Sequence, residues 1–187
     1  MKWPRNALRP THESPERQRI APNLQMDVMT APTAQESLRP NVAPTRAATV
    51  RAVYFRLREG GWSHAQACGM LGNIAQESGF RTTVLGFDQT GSYGLCQWLG
   101  PRKRALFQFA RERGVDVADV ATQVDFLLHE LRTSEQTAAR HLRGCLTPAA
   151  AALSFSKSFE RPHPDFAHND RRIRYAEQYA KVLPHDG

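Results

Sequence analysis

The sequence predicts a mainly α-helical domain of α+β type, interrupted once by a small β-hairpin or irregular lobe at about residues 81–98. Three observations predict it. From residue 46 onward apolar residues recur at spacings of three and four. Cap residues and glycines bracket each apolar run. Residues 80–98 lose that period and hold Gly86, Gly91 and Gly94 among Thr, Val, Phe and Tyr.

The elements follow in order. Val50, Val53, Tyr54 and Leu57 mark a first helix, which Gly60-Gly61 stops. Ser63 and Gln66 form a capping-box pattern that opens a second. It turns Ala67, Met70, Leu71, Ile74 and Ala75 inward and reaches Ser78, with Gly79 as the residue that ends it. Pro101 opens a third helix through Leu106, Phe109 and Ala110, closed by Gly114. A fourth, at about 117–132, buries Val120, Val124, Leu127, Leu128 and Leu131, and a short fifth covers about 134–143. Thr147-Pro148 starts a sixth holding Leu153, Phe155 and Phe159. The last, at about 169–182, places Ile173, Ala176 and Ala180 on one face, and its Arg171, Arg172 and Arg174 read as a solvated basic face.

Composition bounds the rest. The chain has 187 residues, 41% of them apolar, enough for one core plus extras. Seven of its 12 prolines lie in residues 1–46, where Trp3 is the only aromatic. Such a segment cannot bury enough apolar surface to offset its ordering entropy. It reads as an extended arm or linker, with the domain at 47–187. The net charge of +7 and pI of about 9.8 favour anionic partners without choosing among them. The basic residues are scattered and show no helix-turn-helix or RNA-binding signature, so nucleic acid is not an expected partner. No run approaches a membrane span. Met1 to Arg19 carries charges and prolines where a signal peptide needs an apolar stretch. Cys68, Cys96 and Cys145 are odd in number and far apart, which supports neither a zinc knuckle nor a disulfide framework. His163 and His168 are five residues apart and no HExxH occurs, so neither metal nor cofactor is expected.

Chemistry concentrates between Gly72 and Trp98. Glu77 falls at the end of the second helix, where the helix dipole disfavours an ionised carboxylate. Partial burial against Phe80, Tyr93 or Trp98 pushes the same way, toward a general acid working near neutral pH. An exposed last-turn glutamate with no role is the plain alternative. Asp88, in Gly86-Phe87-Asp88-Gln89-Thr90-Gly91, is the nearest second carboxylate. It suits a two-carboxylate glycosidase, although Asp in a turn is the simpler reading. Gln97 offers an amide for N-acetyl and hydroxyl groups, and Trp98 and Tyr93 offer flat faces for a pyranose, with core packing as the alternative for Trp98. Ser78 completes the candidate binding set with Arg102, which opens a basic run, Arg102-Lys103-Arg104, suited to the carboxylates of an acidic polymer. Asp125, among Val124, Phe126 and Leu127, reads as structural.

Gly72-Asn73-Ile74 followed by Glu77-Ser78-Gly79-Phe80 resembles the catalytic segment of the phage tail lysozyme family, part of the lysozyme-like superfamily with goose-type lysozymes and lytic transglycosylases. Tyr93-Gly94-Leu95-Cys96-Gln97-Trp98 is similar to the family's Tyr-Gly-Leu-x-Gln-Trp segment, and Arg102 to Ala110 to the helix after it. Gln123 to Leu127 with Glu130-Leu131, and Phe159-Glu160-Arg161-Pro162, resemble its Gln-x-x-Phe-Leu helix and Phe-Glu-Arg-Pro corner. The match runs over about residues 48–182. The resemblance implies cleavage of the peptidoglycan bond between N-acetylmuramic acid and N-acetylglucosamine, with Glu77 as the acid. It leaves hydrolase and lytic transglycosylase unseparated. It also implies a virion tail or a host cytoplasm as the protein's place before delivery to the wall, with tail or baseplate proteins as partners of residues 1–46. A non-catalytic tail or wall-binding protein is the rival, and the intact Glu77 argues against it.

Overall fold

The computed structural model describes residues 45–83 and 91–184. Residues 1–44 and 185–187 lie outside these, as do 84–90, which include Asp88 and part of the expected lobe. Among the described residues there are seven α-helices: α1 Arg46–Glu59, α2 His64–Glu77, α3 Gly100–Arg113, α4 Val120–Arg132, α5 Gln136–Arg143, α6 Pro148–Phe155 and α7 Asn169–Val182. The fold is mainly α and lysozyme-like in composition of elements. Among the described residues no helix is long and apolar enough to cross a membrane.

Helix ends sit where the cap residues put them. Thr45 Oγ1 accepts from Ala48 N at 3.2 Å to open α1. Ser63 and Gln66 close both arms of the capping box on α2, Ser63 Oγ accepting from Gln66 N and Gln66 Oε1 from Ser63 N. A cap of this kind is worth about 1 kcal/mol. Gly114 ends α3 with φ 64°, a left-handed conformation that costs glycine little.

The centre of the molecule is α2, which packs on α1, α6 and α7. Met70, Leu71 and Ile74 are fully buried, each contributing roughly 1.5–3 kcal/mol. Two glycines let α2 approach its neighbours at backbone distance. A Cβ at position 69 would lie 2.4 Å from Ala151 Cβ on α6, and one at position 72 would lie 2.4 Å from the Arg172 carbonyl oxygen on α7. Gly72 thus fixes where α7 crosses α2, one turn before Glu77.

Two expectations change. The sixth helix does not run on as α: it passes at Ser156–Glu160 into a π-helical turn that Arg161 ends at φ 51°. That turn keeps Phe159 stacked on Phe155 at 4.4 Å and carries Glu160 at its last position. The basic face of α7 is also not wholly solvated. Arg172 is 2% exposed while Arg171 and Arg174 are exposed. The described part of the lobe is a tight antiparallel bridge, Tyr93 to Trp98, with Gly94 and Gln97 in its turn.

Candidate active site

Glu77 is the last residue of α2. Its side chain keeps 19% exposure, and its Oε1 takes an ion pair from Arg172 Nη1 at 2.7 Å. Arg172 is held from two further directions: its Nε donates to Ala167 O at 2.7 Å, and Nη1 donates to Asn73 Oδ1 at 3.0 Å. Asn73, wholly buried one turn before Glu77, donates through Nδ2 to Gly69 O and Ala152 O. Its amide is therefore oriented by α2 and α6 before it meets the guanidinium. A buried arginine is tolerated only when its donors are met, and here they are met by Ala167 O, Asn73 Oδ1 and the Glu77 carboxylate. The chain Ala152, Asn73, Arg172, Glu77 aims one carboxyl at the edge of the site.

A second ionic group lies beside the first. Arg102 forks onto Glu130, Nε to Oε1 at 2.7 Å and Nη2 to Oε2 at 2.9 Å. The same Oε2 accepts from Trp98 Nε1 at 2.7 Å. Arg102 also donates to Phe159 O at 3.2 Å and lies 4.2 Å from the centre of the Phe159 ring. Burial alone would lower the Arg102 pKa, but the hydrogen bonds and charge of Glu130 outweigh it and raise it. Next to this, Glu160 Oε1 is sealed from solvent and has no hydrogen-bond partner. Burial first, then the charge of Glu77, push its carboxyl well above the usual carboxylate range. Burial also pushes up the Cys96 thiol, with Glu160 adding to it, and takes Cys68 to about 12. Neither is a thiolate nucleophile.

The residues expected to touch a sugar separate into two groups. Trp98 is 1% exposed and Ser78 2%. The indole faces the core, edge-on to Phe126 at 5.5 Å, so it serves as an anchor for Glu130 and not as a stacking face. Ser78 Oγ donates to Ile74 O and accepts from Phe80 N, which closes α2. Arg102 is likewise committed to Glu130, and Lys103 Nζ donates to Gly91 O at 2.6 Å, leaving Arg104 as the exposed member of that run. Tyr93 and Gln97 remain partly exposed. Tyr93 packs its ring on Phe107 at 5.1 Å. Gln97 accepts from Ser92 Oγ and donates to Gly94 O. Asp125 is structural, gripped by Arg56 at 2.6 Å through both oxygens.

The bridge carrying Tyr93 and Trp98 is fastened by a buried amide. Gln123 Oε1 accepts from Leu95 N, and its Nε2 donates to Thr82 O and Val117 O, all at 2.8–2.9 Å. The Gly94 backbone rides over it so closely that a Cβ there would lie 2.5 Å from Gln123 Oε1. Strain gathers at the same place: Phe80, Gln97 and Arg161 have φ of 68°, 48° and 51°. They follow Glu77, precede Trp98 and follow Glu160. Left-handed non-glycine residues cost of order 1–3 kcal/mol each and cluster where a site needs them.

Arg172, Asn73, Glu130 and Glu160 are the members that sequence reasoning left without a role. A signal existed for three of them, since Asn73, Glu130 and Glu160 lie within the resemblance segments. Arg172 sits in a run of arginines and carries no local mark. Among the described residues no group of three or more His, Cys, Asp or Glu side chains is placed to hold a metal ion. In comparison with known families, the model of the phage tail lysozymes matches residues 48–183, a span that contains every residue of this site.

Proposed function

The chain belongs to the phage tail lysozyme family, which suggests a lysozyme-like, wall-degrading function, and from that premise we propose that it cleaves the glycosidic bond between N-acetylmuramic acid and N-acetylglucosamine in bacterial peptidoglycan. Glu77 is the general acid. The observation that carries this is its setting: a partly exposed carboxyl at a helix end, ion-paired at 2.7 Å with a buried arginine that Asn73 and Ala167 hold in place. Glu77 gives its proton to the leaving glycosidic oxygen as the bond to the anomeric carbon lengthens. Water or the substrate's own acetamido group meets the developing oxocarbenium ion. Tyr93 and Gln97 are the expected contacts to the sugar, and Asp88 is the candidate for water activation. Residues 1–46, rich in proline and outside the family match, are the candidate segment for meeting tail or baseplate proteins.

The test is Glu77→Gln on purified sacculi. The amide still accepts from Arg172 and cannot deliver a proton. The expected loss of clearing rate is about 10²–10⁴ or more, with the helical circular-dichroism signal retained. Clearing at the wild-type rate places the acid elsewhere. Mass spectrometry of the wild-type products separates the chemistries: reducing ends mark hydrolysis and 1,6-anhydro ends a transglycosylase.

A further inference from the structure

One face of α3 is turned away from the core. The helix buries Leu106, Phe109 and Ala110 and leaves Arg104, Phe107, Gln108 and Arg111 exposed. These four recur at spacings of three and four, so they share a face. With Lys103 they line a groove of about 420 Å³. Phe107, 41% exposed, forms its floor, and the Tyr93 ring packs on Phe107 at 5.1 Å. Lys103 Nζ donates to Gly91 O at 2.6 Å, which ties the rim to the chain entering the bridge of Tyr93 and Trp98. The groove is therefore continuous with the Tyr93 edge of the candidate active site. Its charge has one sign: Lys103, Arg104 and Arg111 are its ionised groups. Among the described residues no carboxylate stands within ion-pairing distance of these three, whereas Asp125 answers Arg56 and Glu135 answers Arg161. The one acid of α3, Glu112, accepts from Gln108 Nε2 at 2.7 Å. A lone exposed phenylalanine needs no explanation. One flanked on its own helix face by unanswered cations complements a ligand that is apolar and anionic at once.

We propose that this groove docks an acidic peptide: the stem peptide that branches from the muramic acid of the glycan strand. This rests on the reading of peptidoglycan as the substrate. The stem peptide carries alanyl methyl groups beside free carboxylates. Arg104 and Arg111 stand two turns apart, about 10 Å along the helix axis, and their guanidinium forks suit carboxylates spaced along an extended peptide. Phe107 lies between them and receives a methyl. The cations that do this differ from the run along the sequence. Arg102 is turned inward to Glu130, and Arg111, farther down the helix, takes its place. The glycan then lies over Tyr93 and Gln97 while its peptide lies over α3. Such docking holds ground state and transition state alike, so it acts on KM and leaves kcat. Because the charges are exposed, salt weakens it.

The experiment uses the full chain and two double variants that remove equal charge. One is Arg104→Gln/Arg111→Gln. The other, a control, is Arg132→Gln/Arg140→Gln, whose arginines are exposed on α4 and α5. The substrates are purified sacculi and the same sacculi with their carboxyls converted to amides by carbodiimide and ammonia. Clearing gives kcat and KM, and cosedimentation in a Glu77→Gln background gives binding without cleavage. Arg104→Gln/Arg111→Gln should bind untreated sacculi about five- to tenfold more weakly and raise KM by the same factor, with kcat kept. The control should stay within about twofold of the parent protein. On amidated sacculi the groove variant and its parent should bind alike. The difference on untreated sacculi should close as salt rises from about 50 to about 500 mM. Equal weakening by both double variants means general attraction of charge and overturns the proposal. So does unchanged binding of the groove variant to untreated sacculi, or a deficit that persists on amidated ones. Binding to duplex DNA or anionic vesicles that the groove variant alone loses, with sacculus binding intact, gives the groove to another polyanion and also overturns it. A parent protein that neither clears nor binds sacculi defeats the reading of peptidoglycan as substrate, and the groove proposal with it. Failure of the groove alone is distinct, because there the parent protein and the groove variant bind sacculi equally.

Discussion

Arg172 shows how one side chain converts a common glutamate into a placed one. Its three acceptors lie on two segments, Ala167 O before α7 and Asn73 and Glu77 on α2. Lysine keeps the charge but cannot satisfy that spread with one ammonium group. We therefore expect Arg172→Lys to lose about 1–3 kcal/mol of stability in urea unfolding. Its kcat on sacculi should fall at least about tenfold with KM little changed, because Glu77 is misaimed while the sugar contacts persist. Equal kcat in the variant would mean that the pair serves the fold alone. Glu77 was legible in the sequence because helix-end carboxylates followed by glycine are a local pattern. Arg172 was not, because nothing within a few residues distinguishes it from Arg171 and Arg174. Trp98 and Ser78 were legible as neighbours of Glu77, and their burial was not. Their direction, toward Glu130 and toward the end of α2, depends on packing.

At the scale of elements, the starts of α1, α2, α3 and α6 and the end of α3 follow from Thr45, Ser63, Pro101, Thr147-Pro148 and Gly114, all local signals. The π-helical turn was not legible, since its composition continues the apolar spacing of α6 and only the stacking of Phe155 and Phe159 calls for the extra residue. The contact of α2 with α7 rests on Gly72, and alanine there drives a methyl into the Arg172 carbonyl at 2.4 Å. Gly72→Ala should raise the local helix propensity and still destabilise, by about 1–3 kcal/mol. Displacing α7 also moves Arg172, so activity should fall further than the loss of folded protein explains. Thermal melts and specific activity per folded molecule check both. A stabilised, fully active variant would show that α7 is free to shift. Gln123 makes a parallel case: its three hydrogen bonds hold the bridge of Tyr93 and Trp98 to α4.

For the whole molecule, charge and pH are the readable variables. Burial and Glu77 raise the Glu160 carboxyl from its ordinary 4.5. Above about that pH the unfolded chain releases the proton while the native state keeps it. The stability it confers is therefore complete below 4.5 and is lost as pH rises through the raised folded value. Glu160→Gln has no such proton, so its melting temperature relative to wild type should climb with pH from about 4.5 upward. The slope corresponds to about 1.4 kcal/mol per pH unit until the folded carboxyl titrates. A constant difference would mean that Glu160 is ionised in the fold. Truncation offers a test of organisation: α1 starts at Arg46 under the Thr45 cap, so removal of residues 1–44 should leave a folded, active domain. A cut at 46/47 removes the cap as well and should cost about 1 kcal/mol more. By itself the sequence determined the helical class, the order of the helices, most of their ends and the position of Glu77 at the end of α2. Each of these is set by interactions within a few residues, where spacing, caps and glycines act. Only the tertiary structure decided which arginine holds Glu77, that Trp98 serves Glu130, and that Glu160 shares their space. Those pairings join α2 to α7, α3 to α4 and the π-helical turn to both, and charge balance in a buried cluster exists only once these segments have met.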